Sequence, residues 1–524
     1  MNRIASAGPT MGLRKVLAAV GIALSVASCA TGSAAGPGLP SASAHDIAAL
    51  IGSPPLDGTH WGLLAVDART GDTLFAQNVD RHFVPASNQK LLVGTSALAL
   101  LGPEFRFRNE FWSRGPLDSQ GTALAGLVLR VSGDPTWSAR FHPDLSAYLD
   151  SIAGELADAG VRRVENGLTV EVPGWDGIHR EGTWMSGDIG RSYSALPSPI
   201  AIDEGTVRIQ TSGAPGISGS ARAQVIPPGR EGVLNAILTA AAAPAPARID
   251  VTHGEEGITL EGSIRIDETD TLTFASPTPV LDATEAWISA LRRAGITING
   301  PTVVRWLPEP DSTYLPGPSV PPPPGTDTPI PCALPVRLCP GGTLLLTFES
   351  PPITAIVKGM LEPSQNWIAE QLLRALGREY GENGRASDGI AVAESFLFGA
   401  VGVDSAAVEM RDGSGLSAYN LVTPRALVDI LRYAQTQPWA LAFRDGLAAP
   451  GEEGSTLESR LEPLAGRMEG KTGTITHVNA LSGYVRRTDG REIVFAILTN
   501  GSGLPSATVR RAMDDVVAIL AGSR

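Results

Sequence analysis

The stretch Pro85-Ala86-Ser87-Asn88-Gln89-Lys90-Leu91-Leu92 constrains this chain more than any other. It opens an apolar, helix-forming run through Ala97, Leu98 and Leu101 that Gly102-Pro103 ends. Pro85 stands where a helix start tolerates a missing N–H, so the pattern predicts a helix from near Ala86. A run this apolar has to be buried, with other elements packed around it. Residues three apart share a helix face, which puts Lys90 beside Ser87. A serine hydroxyl becomes a useful nucleophile when a neighbour takes its proton, and a desolvated lysine can do that. The helix N-terminus adds N–H groups directed at any oxyanion formed on Ser87. Spacing alone is a weak signal, because solvated helices carry Ser-x-x-Lys by chance.

Lysine usage strengthens it. Of 41 Lys plus Arg, only Lys15, Lys90, Lys358 and Lys471 are lysine. Arginine cannot lose its proton in a protein, so a retained lysine marks a place where a base or a compact ammonium is wanted. Lys15 lies in an N-terminal targeting stretch and Lys358 has no evident chemistry. Lys90 and Lys471 both lie in recognisable contexts.

The N-terminus reads as an export signal. Arg14-Lys15 precede an apolar run from Val16 to Ala27 that is too short to span a bilayer. Val26-Ala27-Ser28-Cys29 resembles a bacterial lipobox, which makes Cys29 the candidate for lipidation; the alternative is an ordinary cleaved signal. Residues 1–29 are then the lipoprotein signal and 30–45 a flexible tether. With Cys29 assigned, Cys332 and Cys339 remain, and an even pair in an oxidising compartment is expected to form a disulfide. Both lie in a proline-rich stretch from about Pro308 to Pro340. Two cysteines, seven scattered histidines and no His-Glu-x-x-His argue against zinc; no metal or cofactor is expected. The net charge of −13 argues against nucleic-acid partners and anionic membrane surfaces. Localisation is expected on the periplasmic side of the cell envelope, with membrane contact through the lipid anchor only.

Along the chain, Trp61–Val66 and Thr73–Gln77 read as a hairpin leading to the Ser87 helix, followed by strand-like segments ending at Val131. Residues 46–137 form the first part of a catalytic domain. From 138 to 343 short strands alternate with two amphipathic helices, at 145–159 and 284–294. Each helix runs into a glycine and then a β-branched strand, a weak self-similarity that suggests two small inserted α+β modules, the alternative being two unrelated helix-to-strand turns; the proline-rich loop closes the region. Residues 344–524 complete the catalytic domain, with helices at 354–362, 367–377, 424–433 and 507–521. Strands are expected there at 467–475, 480–487 and 492–499. Two strands near the start and three near the end predict an α+β fold. Its centre is an antiparallel five-stranded sheet flanked by helices, interrupted by a large α+β insertion.

Ser87-x-x-Lys90, Ser364-x-Asn366 and Lys471-Thr472-Gly473-Thr474 occur in that order. Together they resemble the serine penicillin-recognising enzymes, with their penicillin-binding-protein/β-lactamase-like transpeptidase fold. The long separation of Ser87 from Ser364 is similar to that in the class C low-molecular-weight penicillin-binding proteins, the D-Ala-D-Ala carboxypeptidase/endopeptidase family. Gly133-Asp134-Pro135-Thr136, Trp184 to Asp188, Tyr193-Ser194-Ala195, Glu349-Ser350-Pro351-Pro352 and Asp412 to Ser417 agree with it. The resemblance covers about residues 46–524. Gln365, where the family often has Asp, departs from it at a position that faces away from the chemistry in the family.

The resemblance implies that Ser87 attacks the carbonyl between two terminal D-alanines of a peptidoglycan stem peptide, forming an acyl-enzyme, and is acylated by β-lactams in the same way. Lys90 accepts the proton, Ser364 relays it to the leaving amine, and Asn366 binds the substrate amide and orients Lys90. Lys471, Thr472 and Thr474 receive the substrate carboxylate, and Gly473 lets the strand approach the substrate closely. The oxyanion is held by the N–H groups of Ser87 and Thr474. Asp188, with no cation adjacent to it in sequence, is a candidate for binding the amine of a diamino-acid side chain, the alternative being a solvated turn carboxylate. Two alternatives are a catalytically idle cell-wall-binding lipoprotein and a β-lactamase-like esterase. A Ser-His-Asp hydrolase is excluded by the lack of a Gly-x-Ser-x-Gly elbow.

Overall fold

Alternate residues of a strand face opposite sides of its sheet. In the strand His60–Asp67, Leu63 and Ala65 enter one apolar core while Leu64 and Val66 enter another. The computed structural model, which describes residues 41–172, 174–175, 181–226, 233–240, 248–254, 257–306, 342–382 and 384–523, builds a three-layer arrangement on this alternation. Its central sheet has five strands in the order Met468–Ile475, Val478–Arg486, Glu492–Asn500, His60–Asp67, Thr73–Gln77. Every pairing is antiparallel. This is the five-stranded sheet expected from the two ends of the chain.

One face is covered by the helices Ser41–Ile51 and Ser506–Leu520. The first begins inside the segment read as tether, because Ile47 and Ile51 have a core to enter beside Val509, Met513 and Val517. The other face carries the buried helix Gln89–Leu100, ringed by Ile353–Leu361, Asn366–Tyr380 and Pro424–Ala434. Gln89 to Leu98 are all buried, as a helix apolar on every side requires.

A second core lies within residues 108–349. The strand Arg108–Ser113 and the segment ending at Val131, assigned from sequence to the first catalytic part, pair here instead. The order is Thr302–Trp306, Leu168–Val172, Leu127–Arg130, Arg108–Ser113, Thr343–Glu349. The two helix–glycine–strand units read from sequence lie side by side in this region rather than forming separate modules. Leu145–Asp158 leads through Gly160 to Arg163–Val164, and Pro279–Arg293 leads through Gly295 to Thr297–Ile298; the two strands pair in parallel. The strand Thr122–Ala123 pairs in parallel on the other side of Arg163–Val164. The helix expected at 284–294 starts at Pro279, because proline fits the first turn and the buried stripe extends back through Val280 and Ala283.

Candidate active site

Ser87 lies on the single 3-10 turn Ala86–Asn88 that feeds the buried helix. Ala86 takes φ +46°, a left-handed conformation that an alanine holds only when its surroundings enforce it. Two glycines press against this turn. A Cβ on Gly415 (φ +83°) would lie 1.8 Å from the Ala86 carbonyl oxygen, and one on Gly473 would lie 2.9 Å from Pro85 O and 3.0 Å from Ser87 N. Gly473 therefore permits the close approach of its strand to the serine turn itself, where the motif implied only an approach to substrate.

Lys90 is fully buried. Its Nζ lies 2.9 Å from Ser87 Oγ and donates to Asn366 Oδ1 at 2.6 Å and to the Ser414 carbonyl at 2.6 Å. Burial lowers its pKa to about 7, against the opposing pull of Asp412 and Glu370. A base with this pKa next to a serine hydroxyl is matched to neutral pH. Lys471, equally buried, is held well below the ordinary lysine range, first by burial and then by Lys90. Its Nζ donates to Thr472 O, and its own carbonyl accepts from Asn88 Nδ2 at 3.0 Å. Two ammonium groups cannot share this volume cheaply, which favours a neutral amine on one of them.

Asn366 is the first residue of its helix, and its Nδ2 donates to Tyr193 O at 2.7 Å. Ser364 precedes the helix with φ +66°; among the described residues its hydroxyl makes no hydrogen bond to Ser87, Lys90 or Lys471. Gln365 caps the helix by accepting from Trp367 N at 2.8 Å and turns its amide to Glu204. Thr472 donates to Thr456 Oγ1, while Thr474 is exposed and donates to Gly473 O. Among the described residues, no three His, Cys, Asp or Glu side chains are grouped to hold a metal ion.

The model of the D-Ala-D-Ala carboxypeptidase 3 (S13) family matches residues 43–321 and 337–522. The chain belongs to this family. A D-alanyl-D-alanine carboxypeptidase of Actinomadura sp. (strain R39) is 30% identical over 490 residues, 91% of this chain and 83% of the relative. D-alanyl-D-alanine carboxypeptidase DacB of Haemophilus influenzae is 23% identical over 453 residues, covering 85% and 86%. The crystal structure of penicillin binding protein 4 (dacB) from Haemophilus influenzae has the same fold, with a TM-score of 0.73 at 21% identity, covering 91% of this chain and 99% of that one.

In this S13-family chain Asp188 lies on a turn beside the cluster. It accepts from Tyr193 Oη at 2.9 Å, and the Tyr193 carbonyl in turn holds Asn366. Trp184 of the same segment donates Nε1 to the buried Asp412 at 2.9 Å. Lys358 pairs with Asp445 at the surface. Two buried acids complete the surroundings of Lys90. Asp412 belongs to the Asp412–Ser417 motif stretch, whereas Glu370 lies outside every motif in the sequence. Its signal was a glutamate among Ile368, Ala369, Leu372 and Leu373, one helical turn beyond Asn366. Cys29, Cys332, Cys339 and the proline-rich stretch lie outside the described residues. No helix among the described residues is long and apolar enough to cross a membrane.

Proposed function

We propose that this chain is a serine D-Ala-D-Ala carboxypeptidase and/or DD-endopeptidase of peptidoglycan stem peptides that works through an acyl-enzyme and is acylated by penicillin. The observation that carries it is Lys90: buried, with a pKa near 7, and 2.9 Å from Ser87 Oγ. Ser87 Oγ forms a bond to the carbonyl carbon between the D-alanines while its proton passes to Lys90. As the C–N bond breaks, that proton reaches the leaving amine by way of Ser364. Water then takes the acyl group from Ser87 to release the shortened peptide. The Ser87 and Thr474 N–H groups hold the oxyanion. Asn366 binds the substrate amide, and Lys471, Thr472 and Thr474 take the terminal carboxylate.

The protein is exported, with Cys29 lipidated and Cys332 bonded to Cys339. Its catalytic domain is assembled from both ends of the chain, and the intervening region is an insertion that returns Trp184 to Tyr193 to the site. Asp188 binds the cationic end of a diamino-acid side chain. Mass spectrometry after penicillin treatment tests the central step. An intact penicilloyl adduct on the Ser87 peptide is the expected result; an adduct elsewhere, or none on folded protein, removes the reading. The idle-lipoprotein alternative predicts no adduct.

A further inference from the structure

We infer that Glu370 is a positioning residue for Lys90, holding the Gly413–Ser414 backbone so that the Ser414 carbonyl faces the lysine amine; the inference rests on the acyl-enzyme reading above. Glu370 is fully buried. Its two carboxyl oxygens accept from Gly413 N at 3.0 and 3.1 Å, and one also accepts from Ser414 N at 2.8 Å. The next peptide unit carries the Ser414 carbonyl, which accepts from Lys90 Nζ at 2.6 Å, and its N–H, on Gly415, donates to Asp412 Oδ1 at 2.8 Å. Two consecutive N–H groups of this loop are thus anchored on Glu370 and the third on Asp412, and the carbonyl between the anchors has one direction left to point.

The same helix grips Lys90 twice. Asn366 holds Nζ directly, and Glu370, four residues on and so on the same helix face, holds it through the loop. Gly413 makes the second grip possible: a Cβ there would lie 2.7 Å from Ala369 O, so any larger residue lifts the loop off the helix. Burial, with Asp412 and Glu181 nearby, pushes the Glu370 carboxyl up to about 8. Glutamine, uncharged and of the same shape, keeps one oxygen able to accept both N–H groups; leucine keeps the bulk and accepts neither.

The test separates penicillin binding from the acylation rate constant in purified wild type, Glu370→Leu and Glu370→Gln. Glu370→Leu should lower the acylation rate constant at least about tenfold, as misplacement of a reacting group by a fraction of an ångström does. The dissociation constant of the initial complex should stay within about threefold. Glu370→Gln should recover most of the lost rate. Leucine leaves two buried N–H groups unpaired, which costs stability, so a second variant covers an unfolded protein. Gly413→Ala, which keeps Glu370 and moves the loop, should then show the same loss. A folded Glu370→Leu or Gly413→Ala protein acylating at the wild-type rate overturns the inference, as does a glutamine variant as slow as the leucine one. A wild type that gives no Ser87 adduct instead removes the acyl-enzyme reading beneath it.

Discussion

Lys90 separates two roles that a cation can have. Arginine keeps the charge but cannot accept a proton at any accessible pH. If Lys90 is the base for Ser87, Lys90→Arg should fold and lose penicillin acylation by at least about a hundredfold, within the range a general base contributes. Stopped-flow acylation beside circular dichroism measures both halves, and a folded variant within a few-fold of wild type rules the lysine out. The pH profile is a second check on the same residue. The amine acts as base only when neutral, and burial brings its pKa to about 7. Acylation should therefore rise with pH through about 7; a profile flat from pH 5 to 9 contradicts a titrating Lys90. The sign for stability follows from the same shift. The unfolded chain has the ordinary lysine value of 10.5 and binds the proton more tightly than the folded one. The Lys90 contribution is complete above about 10.5 and is lost as the pH falls to about 7.

At the scale of elements, the site depends on how closely the Met468–Ile475 strand and the 412–417 loop approach the Ser87 turn. Gly473→Ala places a methyl 2.9 Å from Pro85 O and 3.0 Å from Ser87 N, both backbone atoms of the serine turn. Something must shift, and Ser87 N is an oxyanion donor in the proposed mechanism. Acylation should fall at least about tenfold, short of the thousandfold that losing a donor outright can cost. A fluorescent penicillin measures the rate, and thermal unfolding checks the fold; an unchanged rate means the strand and turn can separate harmlessly. The 181–195 segment supports a different expectation. Asp188 is held by Tyr193 Oη on a turn whose side chains are partly open to solvent. Asp188→Ala should slow turnover of stem peptides with a free side-chain amine and spare acylation by a simple penicillin. Equal wild-type turnover of free-amine and blocked peptides contradicts a carboxylate that reads the amine.

For the whole molecule, the proposed lipid anchor on Cys29 and the proposed Cys332–Cys339 bond each have a direct test. Cys29→Ala should shift the protein from the detergent phase to the aqueous phase in a partition assay, because two acyl chains anchor stably where none do not. A variant that partitions like wild type argues against lipid on Cys29. Free-thiol labelling of unreduced, unfolded protein should find no reactive Cys332 or Cys339, whereas two labelled thiols mean the pair is not bonded. In the folded domain, closing the sheet by pairing His60–Asp67 with Glu492–Asn500 ties one end of the chain to the other. The described residues between 108 and 349 contribute no strand to that central sheet.

The five-stranded sheet, the buried helix and the closeness of Ser87 to Lys90 were legible in sequence because local chemistry specifies each one, whereas Ser364, Asn366 and Lys471 came as a set only through the motif resemblance. Period-two alternation marks the strands, an all-apolar run marks the helix, and a chain that uses arginine almost everywhere makes its few lysines conspicuous. The sheet that takes Arg108–Ser113 and Thr343–Glu349 was not legible, since an alternating strand does not state which partner will fill its edge. Glu370 showed in sequence only as a glutamate within an apolar run; its partners, Gly413 and Ser414, arrive from a distant loop that no local pattern announces. Residue types and spacings set which groups could react. The Lys90 pKa and the aim of the Ser414 carbonyl come from burial and from backbone segments far apart in the chain, and those exist only once the chain is packed.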